Sequence, residues 1–171
     1  MKYFLLSLSL LLSSCVRIPE GVQPVDNFKL ERYLGTWYEI ARLDHSFERG
    51  LTRVTAEYSL REDGRVRVVN RGYSLTEQRW KEAEGTASFV TAPDQGYLKV
   101  SFFGPFYGSY IVLALDQEQY RHALVCGPNR SYLWILARTP VLDKAIIESL
   151  VAKATALGFD TGKLIFVSHD D

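Results

Sequence analysis

The sequence has little cysteine, no excess of charge of either sign, and no apolar run long enough to cross a bilayer. Its 171 residues include 2 cysteines, and 20 basic residues balance 20 acidic ones. This balance, without any stripe of basic residues, argues against a nucleic-acid partner. The apolar run at residues 3–12 is well short of the roughly 20 residues that a membrane-spanning helix needs. We therefore do not expect this run to span a bilayer.

Motifs of catalytic and metal sites are also missing from the sequence. His45, His122 and His169 lie far apart, with no paired spacing such as His-Glu-x-x-His. There is no Gly-x-Ser-x-Gly, and nothing in the sequence suggests a base and an orienting group for Cys126. We therefore expect a protein that is not an enzyme and holds no metal or cofactor, and in which Cys126 is structural.

The N-terminus predicts export from the cytoplasm. Lys2 and the apolar run after it have the layout of a secretory signal peptide, which we place at residues 1–14. The end of this segment, Leu12-Ser-Ser-Cys15, resembles the lipobox of bacterial lipoproteins, which implies that Cys15 is lipidated. An ordinary signal peptide with a small-residue cleavage site is the alternative. By the same resemblance, Val16 in place of an aspartate implies the outer membrane, facing the periplasm.

Short apolar runs fill most of the remaining chain. Residues 15–26 contain two prolines and little periodicity, so we interpret them as a lipidated tether, and residues 27–171 as one domain. Turn signals rich in Gly, Pro, Asn and Asp separate most of the runs. The predicted strands are 36–43, 52–61, 65–74, 80–91, 97–103, 107–115, 119–126 and 131–138. Such a series without intervening helices predicts an antiparallel up-and-down barrel or a sandwich.

The last part of the domain has a different periodicity. Between Asp143 and Leu157 the apolar residues recur every 3–4 positions, and Gly158 follows. This spacing predicts one amphipathic helix that ends at the glycine. Residues 163–167 are apolar enough for a short final strand.

Alternation along the strands separates an inner face from an outer face. In the third strand, for example, Val68 and Asn70 lie opposite Arg67 and Arg71, and the charged side must face water. The residues predicted to face inward and contact a ligand are Ala56, Tyr58, Val68, Asn70, Phe89, Leu98, Val100, Phe102, Tyr110, Val112, Tyr132 and Trp134. Small residues among these aromatic rings leave room for one small ligand in an eight-stranded barrel. A filled barrel without a cavity is the alternative.

Three short motifs resemble the signature regions of the lipocalin family. Gly35-Thr-Trp37 opens the first predicted strand, Ala114-Leu-Asp116 ends the sixth, and Arg138 ends the eighth. The second motif departs from the common Thr-Asp-Tyr form. The resemblance implies an all-β fold: an eight-stranded antiparallel up-and-down barrel with one C-terminal α-helix and a short final strand. It also implies that Arg138 packs over Trp37 and closes the barrel floor, so that both residues are structural.

Longer runs are similar to the bacterial outer-membrane members of that family. These runs are 33–42, 100–108 and 120–128. The resemblance implies a carrier or store of fatty acids or lysophospholipids that is tied to the outer membrane through Cys15. Two alternatives remain open. One is binding of haem or another apolar cofactor, with His122 as the strand-borne ligand, and the other is a filled-barrel scaffold lipoprotein.

The open end of such a barrel would be formed by loops. Residues 43–51 are long enough to act as a lid that carries Phe47, and Phe103 and Phe106 would place aromatic rings at the rim. Rings exposed at such a rim are suited to contact acyl chains, a membrane surface or a second copy of the protein, and a homodimer through this rim is a hypothesis. The alternative is a tight turn whose rings pack on neighbouring residues. The candidates to meet a lipid head group are Arg42, Arg49, Arg79 and Arg130, each otherwise a solvated surface charge, while Glu39 and Glu84 are candidate inward carboxylates.

Overall fold

The structure, a computed structural model, describes residues 16–170, and its main feature is an antiparallel sheet closed on itself. Within these residues the strands are β1 Gly35–Arg42, β2 Leu51–Leu60, β3 Val66–Ser74, β4 Arg79–Phe89, β5 Tyr97–Phe103, β6 Phe106–Leu115, β7 His122–Cys126, β8 Leu133–Ala137 and β9 Ile165–Phe166. Strands β2 to β8 pair in chain order, and β1 pairs with both β8 and β2. This double pairing closes an eight-stranded barrel and confirms the predicted fold class.

Within residues 16–170, two α-helices and a short 3-10 helix, Thr161–Lys163, lie outside the strand series. Helix α2, Lys144–Ala156, confirms the predicted amphipathic helix: Asp143 caps it by accepting a hydrogen bond from the Ala145 N–H at 2.8 Å. Its buried residues Leu150 and Ala154 pack on the outer wall of the barrel. Helix α1, Leu30–Tyr33, was not predicted, because its 4 residues are too few for a helical period to show. No helix within residues 16–170 is long and apolar enough to cross a membrane.

Some element boundaries differ from the prediction. The seventh strand begins at His122 and not at residue 119, because the backbone turns first: the Tyr120 N–H donates to the Asp116 carbonyl at 2.6 Å. The final strand is short, as predicted, and pairs with β1 at Ala41 and Arg42. It therefore extends the sheet outside the closed barrel.

The segment predicted as a tether lies against the barrel. The Arg17 N–H donates to the Ser109 hydroxyl at 2.8 Å, and the Val25 N–H donates to the Val112 carbonyl at 2.9 Å. Gly96 returns a hydrogen bond to the Val25 carbonyl, and a side chain at Gly96 would come within 2.8 Å of Val25. Residues 16–28 therefore run along the barrel from the β7–β8 loop, where Arg17 donates to the Pro128 carbonyl, to Phe28, whose N–H donates to the Asp94 carbonyl. The predicted signal peptide and the lipidation site Cys15 lie outside the described residues.

Candidate functional site: a cavity inside the barrel

The barrel interior holds a cavity with two connected chambers. The inner chamber has a volume of about 100 Å³ and the outer chamber about 620 Å³. Both are lined by Phe47, Val54, Val100 and Trp134, so that one space runs from the mouth toward the floor. The lining is largely apolar, and the outer volume lies in the range of small-molecule sites, roughly 300–1,000 Å³.

The structure brings all but two of the predicted ligand contacts to this cavity. The wall includes Ala56, Tyr58, Val68, Asn70, Leu98, Val100, Phe102, Tyr110, Tyr132 and Trp134. Phe89 and Val112 are not part of it. The ring of Phe89 packs on Phe28, with centroids 6.1 Å apart, and Val112 is buried beside Gly96. Both residues lie where Val25 and Phe28, at the end of the 16–28 segment, fill the closed end, so these two residues occupy space that strand alternation assigned to a ligand.

Trp37 and Arg138 meet at the closed end of the barrel. Trp37 is 0% exposed, and the Arg138 guanidinium carbon lies 4.0 Å from the centre of its ring. Arg138 also donates to the backbone carbonyls of Thr36, Arg32 and Tyr120 at 2.8–3.2 Å. One side chain thereby links α1, β1 and the turn before β7. The pair has the geometry of the floor that the sequence predicted.

Three tyrosines stand above this floor, inside the inner chamber. The Tyr110 hydroxyl lies 2.7 Å from that of Tyr33 and 2.9 Å from that of Tyr58. Burial raises the pKa of all three phenols above the ordinary value, so they are neutral hydroxyls. Tyr33 could not be found by strand alternation, because it belongs to α1.

A buried ionic network joins the 43–51 loop to the barrel wall. Arg42 donates to the Glu39 carboxylate at 2.6 Å and to the carbonyls of Glu48 and Leu51, which lie near the end of the 43–51 loop. Strict alternation along β1 puts residues 39 and 42 on opposite faces, but the structure places both side chains inside the barrel. A β-bulge between Glu39 and Ala41 turns the strand, so Arg42 points inward as well.

Glu48 completes the network at the boundary of the two chambers. Its carboxylate lies 2.9 Å from His45 Nε2 and accepts a hydrogen bond from the Trp134 indole at 3.1 Å. Burial opposes ionisation of Glu48 and is the largest single effect on its pKa. Because His45, Trp134 and Arg42 together outweigh burial, the pKa of Glu48 lies below its ordinary value. Burial and the neighbouring Glu48 raise the pKa of Glu39, against the opposing effect of Arg42. Sequence reasoning did not identify Glu48, because it lies in a loop.

The other charged residues that were candidates to face the cavity are each paired with another group of the protein. Glu84 points outward and pairs with Arg67 at 2.6 Å, so the inward assignment of Glu84 is wrong. The other arginines are held by protein partners: Arg49 by Asp44, Arg79 by Glu77, and Arg130 by the carbonyls of Leu157 and Glu20. The side chain of His122, considered above as a haem ligand, is not part of the wall of either chamber.

The predicted rim residues surround the mouth. Phe47 stacks on His45 with ring centroids 3.9 Å apart, yet it is 55% exposed. Phe103 and Phe106 line the outer chamber and are 78% and 72% exposed. The entrance is therefore apolar at its edge, although the charged network lies just below it.

Comparison with known proteins agrees with this geometry. A model of the lipocalin-like domain matches residues 28–169. The chain is 57% identical over 166 residues to outer membrane lipoprotein Blc of Vibrio cholerae, with 97% of each protein covered. It is 59% identical over 151 residues to outer membrane lipoprotein Blc of Escherichia coli K12, covering 88% of this chain and 85% of that one. Insecticyanin from Manduca sexta has a TM-score of 0.71 at 24% identity, with 91% of this chain and 88% of that chain covered, which supports the fold.

These matches confirm the resemblance carried by the three sequence motifs. The location predicted from the lipobox agrees with the relatives, and the chain is placed at the bacterial outer membrane. Its cavity suits small hydrophobic ligands, which is the kind of molecule that barrels of this size enclose. The chain belongs to the lipocalin family.

Proposed function

We propose that the protein binds single-chain lipids, fatty acids or lysophospholipids, and stores or transports them for maintenance of the cell envelope. The observation that carries this proposal is the gradient along the cavity: apolar side chains make up most of the wall of the inner chamber, although Glu39, Glu48 and the three tyrosines also lie there, whereas Lys81, Glu82 and Asn129 line only the outer chamber. A molecule with one apolar chain and one polar head matches this gradient. Cys15, as a lipidated residue, would tie the carrier to the membrane.

The expected affinity follows from the area of the acyl chain. Each buried methylene contributes about 0.8 kcal/mol, so a chain of about 12–16 carbons contributes roughly 10 kcal/mol. Loss of translational freedom and ordering of the chain offset part of this gain. Binding near the micromolar range is the result, which suits a carrier that must also release its ligand.

The ligand can be identified on the protein itself. A Cys15→Ser variant in which a signal peptide cleaved without lipidation replaces residues 1–14 lacks the predicted acylation site, so that the exported chain can be purified without detergent. We expect mass spectrometry of its organic extract to contain fatty acids or lysophospholipids in near-stoichiometric amount. An extract that contains haem, or no lipid at all together with no binding of added palmitate, would reject the proposal.

Val100 offers a way to block the cavity, because it borders both chambers. In the Cys15→Ser background, Val100→Trp places an indole across the passage, and we expect the affinity for palmitate to fall at least about tenfold, or about 1.4 kcal/mol. Isothermal titration calorimetry measures this change. The matched control is Val69→Trp, because Val69 lies on the outer face of β3 between inward-facing Val68 and Asn70. Equal affinities in the two folded variants would contradict the assignment of the site.

The exposed rim suggests a test of the homodimer hypothesis. Phe103 and Phe106 are apolar and exposed, and their burial between two copies would be favourable. We expect the Cys15→Ser protein to sediment as a dimer and the Phe103→Ser, Phe106→Ser double variant to sediment as a monomer. Val141→Ser is the control, since Val141 is also exposed but lies next to α2. If the Cys15→Ser protein sediments as a monomer at every concentration, the dimer hypothesis is wrong. The exposed rings would then be candidates to contact the membrane or the ligand.

A further inference from the structure

The three tyrosines of the inner chamber form a polar group at the closed end of an apolar space. Tyr33 ends α1, Tyr58 lies on β2, and Tyr110 lies on β6, so three distant segments bring their hydroxyls together. The ring of Tyr33 packs on Trp37 with centroids 4.6 Å apart, and the Tyr33 carbonyl accepts a hydrogen bond from the Trp37 indole at 2.8 Å. The cluster therefore lies directly on the floor of the barrel, and the backbone carbonyl of Tyr33 fixes it to Trp37.

The hydrogen bonds within the cluster leave one donor unused. Three hydroxyls contribute three O–H hydrogens, but only two hydrogen bonds join them, Tyr33 to Tyr110 and Tyr58 to Tyr110. No other side chain or backbone group of residues 16–170 accepts from these hydroxyls. Whichever way the bonds run, one O–H hydrogen remains without a protein acceptor. A buried donor without a partner is unfavourable, so the site favours an acceptor from the ligand or from water.

The acceptor that suits this position is neutral. The phenols are protonated because burial raises the pKa of Tyr33 and Tyr110, so the cluster offers hydroxyl groups without a positive charge. Arg138, the cation whose charge acts on Tyr33 and Tyr58, lies over Trp37 and donates to three backbone carbonyls. A carboxylate placed beside the tyrosines would therefore be buried without a partner of opposite charge, which is costly.

We propose that the closed end of the cavity recognises a neutral oxygen, a hydroxyl or a carbonyl, at the buried end of an otherwise apolar chain. The inference rests on the proposed binding of single-chain lipids and deepens it, because it names the class of chain that binds best. An acyl chain oxidised at or near its terminal carbon has this chemistry: its head group lies at the mouth and its second oxygen reaches the tyrosines.

The test compares pairs of ligands that differ only at the buried end. Straight-chain acids of 12 to 18 carbons, with either a terminal methyl or a terminal hydroxyl group, are titrated into the Cys15→Ser protein by calorimetry. The same pairs are titrated into the variant that also carries Tyr33→Phe, Tyr58→Phe and Tyr110→Phe, which keeps all three rings and removes every hydroxyl. A single substitution is not enough, because any two remaining tyrosines still leave at least one donor unused.

The measured quantity is the ratio of the dissociation constants of the hydroxylated and methyl-terminated acids. At the chain length that reaches the floor, we expect this ratio to be about tenfold higher in the triple variant than in its parent, because one hydrogen bond is lost. Tyr97→Phe is the control, since Tyr97 is buried outside the cavity wall, and its ratio should match that of the parent.

The outcomes separate the two proposals. Ratios that agree within twofold at every chain length, with normal binding of the methyl-terminated acids, would overturn this inference alone. A parent protein that binds none of the acids would reject the proposed function, and this inference with it. If the triple variant does not fold, Tyr33→Phe, Tyr58→Phe provides the second measurement. Only the Tyr110 hydroxyl remains in this double variant. The hydroxylated acid should therefore still be preferred at the chain length that reaches the floor, and loss of that preference would also overturn the inference.

Discussion

At a pH where Glu39 is ionised, replacing Arg42 by methionine is expected to lower the free energy of unfolding by about 3–5 kcal/mol, because it leaves a buried carboxylate without its partner. Arg42 and Glu39 are 2% and 3% exposed, and their contact is 2.6 Å long. Arg42 also holds the carbonyls of Glu48 and Leu51, so the variant loosens the 43–51 lid as well. Urea unfolding followed by circular dichroism measures the effect.

The loss should depend on pH in a defined direction. Burial raises the pKa of Glu39 above its ordinary value of 4.5, so its contribution favours the folded state at low pH and is lost as the pH rises through the folded-state pKa. Removal of Arg42 raises that pKa further. The deficit of Arg42→Met relative to the parent protein therefore grows as the pH rises above the folded-state pKa of Glu39 in the parent, and becomes smaller as the pH falls toward 4.5.

A double variant provides the control for this prediction. Arg42→Met, Glu39→Gln removes both charges, and we expect it to recover much of the lost stability, since an uncharged pair leaves no isolated carboxylate. The loss in free energy of unfolding of the double variant, relative to the parent, should vary less with pH than that of the single variant. A loss below about 1 kcal/mol in the single variant, with no dependence on pH, would show that the network does not behave as a buried ion pair.

Replacing Trp37 by alanine is the second change with a large expected effect, a loss of about 3–5 kcal/mol. The indole is fully buried, bonds to the Tyr33 carbonyl and supports the Arg138 guanidinium. Its removal opens a void in the floor and leaves Arg138 without the ring. Urea unfolding followed by far-ultraviolet circular dichroism is the suitable measurement, because tryptophan fluorescence changes with the substitution itself.

Trp80 is the matched control for Trp37. It is 43% exposed on the outside of the barrel, where the guanidinium groups of Arg53 and Arg71 lie 5.1 and 4.2 Å from its ring. Trp80→Ala should cost no more than about 1 kcal/mol, as is usual for an exposed cation–π contact. Equal losses in the two variants would contradict the role of Trp37 as the floor of the barrel.

Strand alternation located most of the cavity wall because β5 and the middle of β3 have one plainly charged face. Leu98, Val100 and Phe102 alternate with Lys99 and Ser101, so only one assignment keeps the charge in water. The method failed at Arg42, because a bulge changes the facing of a strand without any mark in the residue pattern. The inward assignment of Glu84 departed from alternation, because counting back from inward-facing Phe89 places residue 84 on the outer face, where it pairs with Arg67.

Elements whose residues recur with a local period, and the short motifs that resemble the family, can be recognised in the amino-acid sequence alone. The barrel strands, helix α2 and the partnership of Trp37 with Arg138 follow from residues whose spacing or motif can be recognised along the chain. Which charges are buried, where residues 16–28 lie and which hydroxyls meet at the floor all depend on tertiary contacts. The reason is distance along the chain: Tyr33 and Tyr58 lie 77 and 52 positions from Tyr110, and no local pattern relates them. The closure of the sheet brings them together, and with them the polar group on which we expect ligand selection to depend.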